Sequence, residues 1–395
     1  MSWQIKKMPE VVKWSSGGTP KRTEKEYYEN GTIPWLIISD LNNSVVTTSE
    51  TKITESGLKN SSAKMIPEGT LLVAMYGSIG KLGITGIECC TNQAIAFAKE
   101  LYSVTTKYMF YYLASIKSKL IQNGKGGTQK NISLTVLNSF SVPVPPIEEQ
   151  RRIVSRIEEL FSELDSAVET LQKTRQQLEI YRQAVLKEAF DSIAVESKSV
   201  SIKDVCNDIK VGIVIKPSQY YTDSAVGVKA FRSANVREFS INNSDWVYLT
   251  LKGHELNKRS EIHTDDVLIV RSGYPGTSCV VTDEYNNCNA IDILIAVPNK
   301  SLIIPDYLCA YTNSPYGKKL VQEKKRGVAQ AHLNVGGYSK MMIFLPDLDT
   351  QQQVVNEIKS RISQADSIFS TVNETLQQAE AMRQSILKKA FEGAL

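Results

Sequence analysis

Two stretches of this chain repeat their apolar residues every seven positions. Between Glu148 and Phe190 there is no Gly or Pro, and Ile157, Leu164, Leu171, Leu178 and Val185 form one row. Ile153, Leu160, Ala167, Thr174 and Tyr181 form the row beside it, with one polar intruder. Towards the C-terminus, Ile358, Ala365, Val372, Ala379 and Ile386 form a row, flanked by Val355, Ile362, Phe369 and Leu376. A seam sustained over about five heptads predicts a long helix that buries one stripe against another helix. Pro145-Pro146 and Pro346 stand just upstream, where proline can start but not continue a helix. Glu148, Glu149 and Asp349 lie in or beside the first turns and Lys187, Lys388 and Lys389 in the last, each favourable to the helix dipole. A helix of about 43 residues would be roughly 65 Å long. Each seam could pack on its own globular domain or drive dimerisation, but pairing within the chain, antiparallel, is the economical solution.

The pattern changes outside these stretches. Short β-type runs occur at 33–38, 70–75, 94–98, 228–232, 267–270 and 291–297, separated by Gly, Asn and Ser. An amphipathic helix follows in each half, at 107–122 and 306–323. The expected organisation is therefore a domain over 1–147, a helix over 148–190, a second domain over 191–348 and a closing helix over 349–395. The fold class is α+β, with two α+β domains separated by a long antiparallel two-helix coiled coil.

The two halves are also copies. Residues 126–190 and 327–391 align without a gap at an offset of 201: Gly126 returns as Gly327, Gln129 as Gln330, Gln150 as Gln351, Asp165 as Asp366, Arg182 as Arg383 and Phe190 as Phe391. The repeat is fainter upstream, where Leu71–Ala74, Gly77 and Gly80 return as Val267–Val270, Gly273 and Gly276, and Tyr108 as Tyr307. A drifting offset means loop insertions in a variable domain; a constant one means an element that tolerates none. Two equivalent modules give a pseudo-twofold chain, suited to a target that comes in two halves, of which duplex DNA is the commonest.

Composition narrows this further. At 395 residues, 42% hydrophobic and 22% charged, the chain has room for two or three ordinary domains. No apolar run approaches the roughly 20 residues that cross a bilayer, and MSWQIKKMPE lacks the apolar stretch of a signal peptide. The six cysteines show no Cys-x-x-Cys spacing, which suits reduced thiols in a cytoplasmic protein. Net charge is +4, and residues 1–147 alone carry +6, against −2, +1 and 0 for 148–190, 191–348 and 349–391. The excess positive charge is compatible with a polyanion.

Basic, amide, hydroxyl and aromatic residues concentrate in the loops of the two domains. In the first the candidates are Thr19, Lys21, Arg22, Tyr27, Tyr76, Ser78, Lys125, Thr128, Gln129 and Lys130. In the second they are Lys216, Tyr220, Arg232, Arg271, Tyr274, Lys324, Lys325, Arg326 and Gln330, with His332 close by. Arg and Lys can take guanine O6 and N7, Gln can pair with adenine N6 and N7, and Ser, Thr and Lys hold phosphates. The paired Gly-x-x-Gln, at 126–129 and 327–330, is the most pointed of these because both copies keep it.

Catalytic signatures are missing. The segment Gly77–Leu82 has the wrong spacing for a phosphate loop and no hydroxyl after its lysine. There is no Gly-x-Gly-x-x-Gly after a strand, no Asn/Asp-Pro-Pro-aromatic, and no His-Glu-x-x-His; the histidines at 254, 263 and 332 are scattered. The expectation is a binding protein with no catalytic residues, no metal and no cofactor of its own. A coiled-coil scaffold that binds only protein is the alternative.

The ordered set of motifs resembles one known family, the specificity (S) subunits of type I restriction-modification systems. The resemblance covers essentially the whole chain. It rests on Ser-Gly-Gly-Thr-Pro at 16–20, the Gly-x-x-Gly turns at 77–80 and 273–276, Pro-Pro-Ile-Glu-Glu-Gln-Arg-Arg-Ile-Val at 145–154 and Arg-Gln-Ser-Ile-Leu-Lys-Lys-Ala-Phe-Glu-Gly at 383–393. The second copy departs from the pattern, with Pro-Asp-Leu-Asp-Thr-Gln at 346–351. The resemblance implies two target recognition domains, each reading one half of a bipartite site in double-stranded DNA, and two helices that set the spacer. It further implies docking of two modification (methyltransferase) subunits, which supply S-adenosylmethionine, and of restriction (translocase and nuclease) subunits.

Overall fold

The computed structural model describes residues 3–126, 130–325 and 332–395, and the side chains of all of these except Lys324 and Lys325. It divides into two compact units, Met1–Leu171 with Glu374–Leu395, and Gln172–Asn373. Each unit takes a domain together with part of both long helices.

The first unit opens on β1 (Gln4–Lys7), continues to β2 (Val12–Ser16), and builds its sheet from β3 (Leu71–Ala74), β4 (Leu82–Thr85) and β5 (Ile95–Leu101). The order is β2-β5-β3-β4, all antiparallel, with the two-residue strand Val45–Val46 parallel to β4. Every residue of β3 is buried, as expected of an unbroken apolar run in a central strand. Helix α1 (Thr106–Ser115) packs against this sheet, and β6 (Ser141–Val144) closes the domain by pairing antiparallel with β1, Gln4 opposite Val144. The chain then enters helix α2 (Ile147–Glu196).

The second unit repeats this plan, with four strands in its main sheet and, among the described residues, no counterpart of Val45–Val46 in it. Its strands are β7 (Lys198–Ser201), β8 (Cys206–Val211), β9 (Val267–Val270), β10 (Ser278–Val280) and β11 (Ile293–Pro298), with sheet order β8-β11-β9-β10. Helix α3 (Pro305–Asn313) matches α1; β12 (Met342–Leu345) pairs with β7 as β6 does with β1. Even the irregularities recur, since β2 and β8 each carry a bulge near their start. The final element is helix α4 (Leu348–Phe391).

Within each unit the segments of α2 and α4 run antiparallel. In the first, Arg152 donates to the Leu395 carbonyl, and thirteen residues later along α2 Asp165 pairs with Arg383. In the second, Arg182 pairs with Asp366 and Glu188 with Arg361. Asp165 and Arg182 thus meet the repeat equivalents of one another. Ile153 and Ile157 of α2 share a core with Tyr108 of α1 and with Leu387 and Ala390 of α4. Val185 and Phe190 share the matching core with Tyr307, Val355 and Ile358. Phe391 lies edge-on to Tyr108 and Tyr112 at 5.2 and 5.4 Å; Phe190 lies edge-on to Tyr307 and Tyr311 at 5.3 and 5.1 Å.

In each unit a glutamine at the start of a long helix is as deeply buried as Tyr108 and Phe190. Gln150, fully buried, accepts from the Thr105 amide and donates to the Ser103 and Pro145 carbonyls. Gln351 does the same to the Ile304 amide and the Leu302 and Pro346 carbonyls. Each glutamine ties the first turn of a long helix to the loop that precedes α1 or α3. Gln351→Ala strands these groups, and the expected cost is about 1–3 kcal/mol per buried group left unpaired. A urea midpoint that does not move would rule out this role.

Three expectations need adjustment. The second α2 row fades, because Ala167 and Tyr181 are exposed; Tyr181 instead offers its ring face to Arg361, 5.7 Å away. The helices expected at 107–122 and 306–323 each break, into Thr106–Ser115 and Lys117–Gln122, and into Pro305–Asn313 and Pro315–Lys325. In the second case Ser314 is extended, the conformation imposed on a residue before proline. Helix α2 also runs to Glu196, six residues past its expected end. Among the described residues no helix is long and apolar enough to cross a membrane.

Candidate nucleic-acid interface

Part of the candidate loops meets along a rim in each unit, and the same kind of backbone contact assembles both rims. Where β2 ends, Gly17 donates to the Ile95 carbonyl and Gly18 to that of Thr91. Where β8 ends, Gly212 donates to Ile293 and Ile213 to Ala290. A Cβ on Gly17 would lie 2.0 Å from the Thr91 carbonyl oxygen, and one on Gly212 would lie 2.4 Å from that of Ala290. Only glycine permits this approach. It sends Thr19-Pro20-Lys21 out of one sheet and Val214-Ile215-Lys216 out of the other.

In the first unit the Thr19 hydroxyl meets the Gln93 side-chain carbonyl. The next residue, Ala94, accepts from the Met75 amide, which leads directly into Tyr76-Gly77-Ser78. Tyr76 bridges to Asn131, Gly77 donates to the Lys130 carbonyl at 3.2 Å, and Lys125 and Asn131 exchange two backbone bonds of 2.8 Å. Thr19, Tyr76, Ser78, Lys125 and Lys130 are thereby neighbours. Gly77 has a φ of 62° with open space around its Cα, so the turn and not crowding requires glycine. Its counterpart Gly273 has a φ of 80° and is equally open. Lys21 and Arg22 are exposed; Lys21 pairs with Glu24 at 2.9 Å. Arg22, Lys25, Tyr28 and Trp35 line a cavity of about 480 Å³. Tyr27 is half-buried, its carbonyl accepting from the Thr54 amide.

In the second unit Asp292 joins the rim together. Its amide donates to the Ile213 carbonyl and its carboxylate binds Arg271 at 2.5 Å. Arg271 also donates from Nε to the Leu333 carbonyl, and its side chain is mostly covered. This arginine fixes the loop, since its guanidinium is already committed. Next to it, the Ser272 hydroxyl is 2.5 Å from His332 Nδ1, and Tyr274 stands 84% exposed. Arg232 is bonded to the Asp245 carboxylate and carbonyl. Tyr220 repeats the place of Tyr27, its carbonyl accepting from the Thr250 amide. Lys324 and Lys325 close the helix that begins at Pro315. Thr128, Gln129, Arg326 and Gln330, and with them all of the paired Gly-x-x-Gln except Gly126, lie outside the described residues.

Sequence reasoning missed Gln93, Asn131 and Asp292. None has a local signal, because sheet topology alone brings each to the rim. The exchange of Tyr76-Gly77-Ser78 for Ser272-Gly273-Tyr274 shows what varies: the turn is kept and its two side chains trade places. Exposed hydroxyls, amides, aromatic rings and lysines on stiff turns suit hydrogen bonding to a polar, charged surface. They do not make a catalytic centre. Burial pushes the thiols of Cys89, Cys90, Cys206 and Cys309 up to about 12, which leaves them protonated and poor nucleophiles. Among the described residues no three His, Cys, Asp or Glu side chains are grouped to hold a metal ion.

Residues 1–179 match the family model described as the type I restriction modification DNA specificity domain. The whole chain is 22% identical to the EcoKI specificity subunit of Escherichia coli (strain K12), over 89% of that protein. It is 24% identical to the EcoBI specificity subunit of Escherichia coli, over all of this chain and 86% of that one. Against the EcoR124I/EcoR124II specificity subunit of Escherichia coli, identity is 32% over 45% of this chain and 46% of the relative. Among solved structures, a chain from work on complex assembly and conformational transition of the type I R-M system superposes with a TM-score of 0.79 at 18% identity, covering 100% of this chain and 98% of that one. The HsdS subunit from Thermoanaerobacter tengcongensis gives 0.56 at 17% identity, over 100% and 97%. At these identities the superpositions speak for a shared fold. By the domain model matched over residues 1–179 and by relatives aligned along its full length, the chain is similar to type I restriction-modification DNA specificity subunits.

Proposed function

We propose that this chain selects the DNA sequence on which a type I restriction-modification complex acts. The observation that carries this reading is the duplicated rim: one backbone frame, built twice, presents different side chains in the two units. Each unit reads one half of a bipartite site in double-stranded DNA. The side chains on the turns contact base edges and phosphates, and α2 and α4 fix the gap between the halves. Two modification subunits dock on the helices and carry out methyl transfer, and restriction subunits add translocation and cleavage. The chain itself supplies recognition and needs no cofactor. It works in the cytoplasm, where the chromosome is.

Mapping methylated adenines in the genome that encodes the chain tests this. The expected result is a motif of two unlike short halves around a gap of unspecified bases, which disappears when the gene is deleted. A contiguous motif, or methylation indifferent to the deletion, would count decisively against it.

A further inference from the structure

We propose that Val214 and Ile215 form an apolar finger that reads thymine, by packing against 5-methyl groups in the major groove of the half-site bound by the second unit. Such a finger presupposes the DNA-reading role above and gives the chemistry of one of its contacts. Val214 is 50% and Ile215 79% exposed, on a loop whose base is anchored by backbone bonds from Gly212, Ile213 and Asp292. The next residue, Lys216, holds a φ of 42°, a left-handed conformation unfavourable for lysine. Pro217 then starts a tight helical turn. Two β-branched side chains are thus held outwards on a short, stiff support.

The first unit makes the opposite choice at the same place. There Thr19 is tied to Gln93, Pro20 is buried, and the Tyr28 hydroxyl donates to the Pro20 carbonyl at 2.6 Å. Exposed aliphatics are therefore not demanded by the frame. Beside the finger stand exposed Lys216 and, through Asp292, the Arg271–Tyr274 turn. An apolar point among cations and hydroxyls suits a polyanion that itself carries isolated apolar groups. On the major-groove edge of duplex DNA that group is the thymine methyl.

The test uses the full chain, purified with the subunits that accompany it, and duplexes carrying the motif mapped from the genome. Each thymine in turn is replaced by uracil, which removes only the methyl. Wild type is expected to lose roughly fourfold in affinity per contacted methyl, as for one buried methylene. These losses should fall in one half-site only. Val214→Ser with Ile215→Ser should bind the thymine duplex as weakly as wild type binds the uracil one, with no further loss on uracil. The variant should melt like wild type, because both side chains are exposed. Losses that simply add, uracil without effect at every position, or a half-site lacking thymine on both strands would overturn the finger. Loss of DNA bending in the variant, without any dependence on the methyl, would overturn it too. A wild-type complex that binds no duplex would sink the DNA reading itself, a result distinct from all of these.

Discussion

Inserting four residues after Gln176 in α2 is expected to abolish recognition of the native site, and a matching insertion near Val372 in α4 to restore binding to a site with a wider gap. Four residues add about 6 Å and roughly 40° to a helix. In α2 alone this puts Asp165 and Arg182 out of common register with Arg383 and Asp366, their partners on the unlengthened α4, so both pairs cannot be kept. With both helices lengthened the pairing resumes, and 6 Å corresponds to about two base pairs at 3.4 Å each. Methylome mapping of strains carrying each version reads the result directly. An unchanged gap in the doubly lengthened chain would refute the role of the helices as a spacer.

Phe190→Ala should destabilise the second unit severely, by about 3–5 kcal/mol. The ring is fully buried, meets Tyr307 and Tyr311 edge-on, and shares a core with Val355 and Ile358. Its repeat equivalent Phe391 is only half-buried, so Phe391→Ala should cost less despite the same two-tyrosine cradle. Chemical denaturation of both variants compares them. Equal costs would mean that the tyrosine contacts, and not the depth of burial, set the contribution of each ring.

The long helices were legible in sequence because a seven-residue apolar row runs through each with no Gly or Pro to break it. Ile157, Leu178 and Val185 are buried as that period demands. The central strands were legible for a similar reason, since Val267–Val270 is apolar throughout and buried throughout. What escaped was set by distant partners. Tyr181 sits on an apolar row but finds Arg361 on its open side, an attraction that a heptad count does not contain. Two-residue strands such as Cys90–Thr91 exist only because Trp35–Leu36 lies alongside. The candidate rims were half legible. Residue types single out these turns, yet the grouping of Tyr76 with Asn131, or of Arg271 with Asp292 and Leu333, is decided by sheet order and not by neighbours in sequence. Arg271 illustrates the difference: a loop arginine invites a base contact, and the fold gives it an aspartate.

The joint between each domain and its long helix carries one more ion pair. In the first unit Lys107 binds Glu158 at 2.8 Å; in the second Asp306 binds Lys359 at 2.8 Å. Glu158 and Lys359 occupy the same place in the repeat, so the two sockets have opposite polarity. A recombinant chain that moved the second domain onto the first socket would set Asp306 against Glu158, and the reciprocal move would set Lys107 against Lys359. Each domain therefore carries an address label, modest in strength at this exposure, that marks the position to which it belongs. Shuffling recognition domains to create new target sites should work best when residues 158 and 359 travel with their cargo.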